Sequence, residues 1–222
     1  NNFDPVAFNF FAFEIRWYSL SYIFGILFGW FYCRRFLIKN KVISLLFDDL
    51  ITYLIIGIIL GGRLGYVLFY NLNYYSKNFI EIFFIWEGGM SFHGGLIGIV
   101  FATYIYSKKH KINKYIFLDL VSVSAPIGLF FGRIANFING ELIGKATNGN
   151  WGVIYPQIDS IPRHPSQLYE CFLEGMILFI ILNLIYFKKK YKNGTVSFAF
   201  LFFYGIFRFI CEIFREPDVH LG

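Results

Sequence analysis

The 222-residue chain is 57% hydrophobic and 23% aromatic, with only 15% charged residues and a formal net charge of +6. A soluble domain carries about 25% charged residues, so this composition excludes an ordinary water-soluble fold and points to a membrane. The three cysteines, Cys33, Cys171 and Cys211, lie in or beside apolar runs, are odd in number and match no metal spacing; they read as small core residues rather than a disulfide framework or a nucleophile.

A membrane-spanning helix needs roughly 20 mainly apolar residues. Six stretches fit, at about 17–36, 50–70, 90–107, 116–137, 168–187 and 195–214. The first is flanked by Arg34 and Arg35 and lacks a small-residue cleavage site, so it reads as a retained helix and not a secretion signal. The chain opens with Asn1 and stops in the polar stretch "EPDVHLG", which suggests a fragment, at least at the C-terminus. The expected fold is all-α: one polytopic transmembrane helix bundle over 1–222, with a folded outer loop at 138–167.

The loops carry an orientation signal. Arg34, Arg35, Lys39 and Lys41 follow the first stretch, Lys108, Lys109, Lys111 and Lys114 the third, and Lys188, Lys189, Lys190 and Lys192 the fifth. Twelve of the 20 basic residues thus sit in three alternate loops, and short Lys/Arg-rich loops stay in the cytoplasm. Of the remaining eight, Arg16, Arg63, Arg133, Arg163, Arg208 and Arg215 are arginines, joined by Lys77 and Lys145. Any solvated charge can orient a span, whereas arginine offers a two-point grip on phosphate or carboxylate. The orienting charge is therefore read as inside and the candidate binding charge as outside.

The candidate constellations follow in chain order. In "GGRLGYVLFYN" (61–71), Arg63 either snorkels to the interface beside Tyr66 and Tyr70 or contacts a lipid headgroup. In "EGGMSFHGGLIG" (87–98), His93 lies between glycine pairs that let another backbone or a substrate approach, and its imidazole suits a general base. Asp119 lies about 21 Å along a helix from Arg133, which favours capping or pairing with Lys114 over chemistry. In "GRIANFINGELIG" (132–144), Arg133 and Asn136 share a helix face, with Asn139, Glu141 and Gly144 following as the helix ends. Amide capping with an Arg133–Glu141 pair is one reading; an anionic ligand for Arg133 is the other.

"PRHPSQLYE" (162–170) reads as a loop turning into a helix at Pro165, with Arg163 and His164 free either to touch a substrate or to sit in solvent. In "YGIFRFICEIFREPD" (204–218), Tyr204, Arg208, Glu212 and Arg215 form one polar stripe, either an Arg–Glu–Arg ladder locking the bundle or a wall placing Arg208 in the same cavity as Arg133. Together these residues describe an arginine-rich, glycine-lined cavity at the outer leaflet. Pro126 alone hints at the broken midplane helices of transporters.

Those stretches, with "RWYSLSY" (16–22), resemble in order the motifs of the bacterial prolipoprotein diacylglyceryl transferases. The resemblance covers nearly the whole chain. It implies transfer of the diacylglyceryl group of phosphatidylglycerol to the lipobox cysteine of prolipoprotein signal peptides, with release of glycerol phosphate. No metal or organic cofactor and no nucleic acid is implied. The enzyme would sit in the bacterial inner membrane, surrounded by membrane lipids, its site facing the periplasm or exterior. The resemblance makes Arg133 the phosphatidylglycerol-binding arginine, with Asn136, Glu141 and Gly144 the other marked signature positions. It makes His93 the histidine discussed as a base, Tyr18 a functionally important tyrosine and Arg208 the second key arginine. Arg63, Asp119, Glu212 and Arg215 fall on further family positions. The family has seven spans against the six found here, so the chain is expected to stop before the seventh. A phospholipid transporter or lipid-binding scaffold without chemistry is the alternative from another class.

Overall fold

In lipid there is no water to satisfy a backbone, so long apolar stretches close their hydrogen bonds internally as helices. The computed structural model describes residues 3–10, 13–188 and 191–217. Lys189 and Lys190, counted in the third basic loop, lie outside the described residues.

An antiparallel pair comes first, β1 (Val6–Phe10) with β2 (Phe13–Arg16). It departs from the all-α expectation: both strands are too short to stand out in an apolar sequence. Helix α1 (Trp17–Tyr32) continues into a π-helical stretch, Cys33–Leu37. Helix α2 (Lys41–Phe69) starts about nine residues before the expected span, because the Asn40 side chain caps it, accepting from the amides of Val42 at 2.8 Å and Ile43 at 3.2 Å. After the short α3 (Leu72–Tyr75) and two 3₁₀ turns come α4 (Phe92–Lys109) and α5 (Lys114–Asn139). One helical run then joins α6 (Ser166–Glu170), the π-helical stretch Cys171–Ile177 and α7 (Leu178–Tyr186), and α8 (Thr195–Glu212) follows.

Each of the six expected spans falls on helix. By length and apolarity four are fit to cross a membrane: α2, α5, the Ser166–Tyr186 run and α8. Helix α1 has only 16 residues before its π turn, and three glycines, His93 and two terminal lysines dilute α4.

Two units divide the chain. One runs from Ile38 to Leu118; the other combines the residues up to Leu37 with those from Asp119 onward. In the first, Gly57, Gly61 and Gly65 on α2 face Gly94, Gly98 and Ala102 on α4. A Cβ at Gly98 would come 1.9 Å from the Gly57 carbonyl oxygen, and one at Gly61 2.4 Å from the Gly94 oxygen. Small residues four apart on both helices let the backbones touch, the usual way helices associate in lipid. In the second unit, buried Asp119 caps the start of α8. Its carboxylate accepts from the amides of Gly194 at 2.7 Å and Ser197 at 2.8 Å and from the Ser197 hydroxyl. The capping expectation holds, but for a helix that starts about 75 residues further along the chain. Gly194 has φ 98°, so it enters the turn without the cost of a side chain. The three cysteines are free and buried.

Candidate functional site: a buried arginine–carboxylate chain

Arg133, near the end of α5, needs an anion, and the structure supplies two. Its Nε lies 2.8 Å from Glu170 Oε2 and its Nη2 donates to Glu174 Oε2 at 3.1 Å. Both glutamate side chains are fully buried, while Arg133 keeps 14% exposure. Arg208 on α8 takes the other side of the same carboxylate, its Nη1 donating to Glu170 Oε1 at 2.8 Å. Arg208 also pairs with Glu212 one turn on, and Glu212 lies 3.8 Å from Arg215. The result is one alternating chain, Glu174–Arg133–Glu170–Arg208–Glu212–Arg215.

The π-helical stretch places the acids. Glu170 closes α6 and Glu174 lies within Cys171–Ile177; widened turns of this kind are frequent at functional sites. Gly175 allows the approach of α5, since a Cβ there would meet Phe130 Cβ at 2.9 Å.

A second cluster finishes α5. Gly140 (φ 68°) and Leu142 (φ 55°) turn the chain back. The Glu141 amide donates to the Asn136 carbonyl at 2.9 Å, and its carboxylate accepts from Asn136 Nδ2 at 3.0 Å and Asn139 Nδ2 at 3.2 Å. Glu141 thus pairs with the amides and not, as the sequence had allowed, with Arg133; the two buried glutamates are nearer. Gln167 on α6 donates to the Glu141 carbonyl, and the Ser166 hydroxyl donates to that of Leu142 at 2.8 Å.

The loop 138–167 is folded. Val153 and Arg163 exchange backbone bonds, and the Lys145 amide donates to the Phe214 carbonyl beyond α8. Gly144 gives close approach, though to His164 rather than to a ligand: a Cβ there would lie 2.2 Å from the His164 carbonyl oxygen. Arg163 clamps the loop through Asp159 at 2.6 Å, Glu216 at 3.4 Å and the Gly144 carbonyl at 3.2 Å. That hydrogen bond holds the Asp159 carboxyl below the usual carboxylate range. His164 is turned to Tyr169, Nδ1 to Oη 3.1 Å, beside a cavity of about 460 Å³ lined by Trp151, Phe172, Cys211 and Phe214.

The sequence-selected residues therefore fall into groups. Arg133, Arg208, Glu212 and Arg215 join one chain of ion pairs, in which Arg208–Glu212–Arg215 is the expected ladder and Glu170 links it to Arg133. Asn136 and Glu141 form the turn beside it. Tyr18, exposed on α1, is linked to Tyr22, whose Oη donates to its own at 3.0 Å. Arg63 and His93 belong to the Ile38–Leu118 unit. Arg63 is 3% exposed and gives its guanidinium to the carbonyls of Glu81 (2.6 Å), Ile82 (2.9 Å), Gly88 (2.5 Å) and Gly89 (3.3 Å), under the Tyr75 ring. His93 is exposed in the first turn of α4, after the capping Ser91; the glycines beside it admit α2. Sequence reasoning passed over Glu174 and met Glu170 only as the end of the loop-to-helix stretch "PRHPSQLYE". The clue was two acids four apart in the apolar run "YECFLEGMILF".

Membrane-length helices joined by a charge-balanced arginine–carboxylate chain, buried at Glu170 and Glu174, define a helical membrane protein with a polar site. More narrowly, the chain belongs to the prolipoprotein diacylglyceryl transferase family, whose family model matches residues 5–222. It is 53% identical over 225 residues to a phosphatidylglycerol–prolipoprotein diacylglyceryl transferase of Rickettsia bellii, covering 100% of this chain and 86% of the relative. Relatives of the same name from Rickettsia felis and Rickettsia rickettsii are 51% and 52% identical, each with 87% of its length covered.

Proposed function

We propose that this chain transfers the diacylglyceryl group of phosphatidylglycerol to the lipobox cysteine thiol of prolipoproteins, releasing glycerol phosphate, the first step of lipoprotein maturation. The carrying observation is that Arg133 and Arg208, from separate helices, grip opposite oxygens of one buried carboxylate, Glu170, in a chain of this family. Two guanidinium forks fixed by a shared acid suit a phosphate whose charge grows as its ester bond breaks.

In the reaction the thiolate sulfur bonds to glycerol C3 of the lipid as the carbon–oxygen bond to phosphate breaks. The electron pair leaves with glycerol phosphate, and the thiol proton goes to a base. A free thiol has a pKa near 8.5, so it needs such a base or a positive field. Arg133 and Arg208 hold the phosphate, and the family resemblance, rather than any contact in the structure, assigns the proton to His93. Asn136, Glu141 and Tyr18 shape the headgroup's surroundings, Gly144 seats the 138–167 loop against His164, and Glu212 and Arg215 steady Arg208. Arg63 holds the 81–89 segment through its carbonyls. The chemistry calls on no metal or organic cofactor. Six spans cross the bacterial inner membrane, with the site toward the periplasm or exterior, and the lipid tails enter sideways from the bilayer.

The test incubates the protein in vesicles with phosphatidylglycerol and a lipobox peptide. Release of glycerol phosphate with a diacylglyceryl mass gain on the peptide supports the reading; lipid movement without either product points to a transporter. Arg133→Lys keeps the charge and loses the fork, so its activity should fall by about a hundredfold or more. His93→Gln should remove an ionisation limb from the pH–rate profile, and an unchanged profile removes His93 as the base.

A further inference from the structure

The site described above holds three arginines and three glutamates, and so carries no net charge to offer an anionic lipid when all six are ionised. Among the three glutamates, Glu174 meets one arginine where Glu170 and Glu212 each meet two. Glu170 accepts a hydrogen bond from Arg208 at 2.8 Å and lies 2.8 Å from Arg133 Nε in an ion pair without hydrogen-bond geometry, and Glu212 is half exposed. Glu174 is fully buried, touches Arg133 through one oxygen at 3.1 Å, and its Oε1 is buried without a hydrogen-bond partner among the described residues.

The position matters as much as the count. The two acids take Nε and Nη2 of Arg133, and neither takes Nη1. An end-on, two-point grip on phosphate uses Nη1 and Nη2 together, so it needs the nitrogen that Glu174 occupies. A carboxylate and a phosphate oxygen compete there for one donor.

We propose that Glu174 is a resident anion, a positioning residue that stands in for phosphate on Arg133. It holds the fork in place while the site is empty, yields Nη2 when the lipid headgroup arrives, and retakes it as glycerol phosphate departs. Glu174 therefore sets how tightly the site holds any glycerol-linked phosphate and how fast the product leaves. The proposal rests on the headgroup reading of Arg133.

Glu174→Gln keeps the side-chain shape and removes the competing charge. In the vesicle assay, KM for phosphatidylglycerol and the inhibition constant for glycerol phosphate should both fall, by about tenfold. KM for the lipobox peptide should stay constant, and kcat should fall as product is retained. Glu174→Asp, which withdraws the carboxylate by one methylene, should move both constants in the same direction by less, and it decides the question if the glutamine variant fails to fold. Glycerol phosphate binding measured by calorimetry, without turnover, reads the same effect. Unchanged or weaker binding in a folded variant overturns the role of Glu174 while leaving transfer by the wild type intact. No transfer by the wild type would instead sink the functional reading itself.

Discussion

At the residue scale, Glu170 is the junction of the site, because both key arginines depend on it. Removing one partner of a buried ion pair costs about 3–5 kcal/mol, since the remaining charge stays desolvated. Glu170→Gln should therefore lower both the thermal midpoint in detergent and the transfer rate, the latter by more than a hundredfold. A variant that keeps its rate would show that Arg133 and Arg208 are placed by something else. The arginines were legible in the sequence because charge in an apolar run demands a partner. The partners were less so. Glu141, eight residues along, was the nearest acid in sequence, whereas Glu170 and Glu174 reach Arg133 only once the chain has folded back through the 138–167 loop. Glycine was likewise visible as permission for close approach, but not what would approach. Beside His93 it is helix α2, and at Gly144 it is the backbone of His164.

At the scale of elements, the α2–α4 contact is decided by backbone proximity. Overpacking of tight interiors costs about 1–3 kcal/mol, and a Cβ at Gly98 has nowhere to go, because it meets the Gly57 carbonyl of a neighbouring helix. Gly98→Ala should lower the thermal midpoint by several degrees, whereas Gly205→Ala on α8, where nothing lies within 4 Å, should leave it unchanged or slightly raised by better helix propensity. Equal midpoints for the two variants would mean that the glycine stripe does not hold these helices. Helix positions were the most legible part of the fold, because twenty apolar residues leave few alternatives. Their ends were not, as side-chain caps fix them. Asn40 starts α2 well before its apolar run begins in earnest, and the β1–β2 pair is shorter than any periodicity can reveal.

At the scale of the whole molecule, twelve basic residues in alternate loops predict sidedness. An impermeant thiol reagent added to intact cells should label Asn148→Cys in the 138–167 loop and leave Lys111→Cys unlabelled until the membrane is opened. The reverse pattern would turn the protein over and put the arginine chain on the wrong side for secreted substrates. The Asp119 cap carries a different kind of consequence, one of timing. Ribosomes deliver α5 first, with a carboxylate destined for burial but still without donors. Those donors arrive 75 residues later, when Gly194 and Ser197 emerge. Any product of interrupted translation that stops between the two is left with an unmatched acid near a helix start. Synthesis of the start of α8 is thus what matches an acid written into the middle of the chain, and copies stopped before Gly194 hold that acid without these donors.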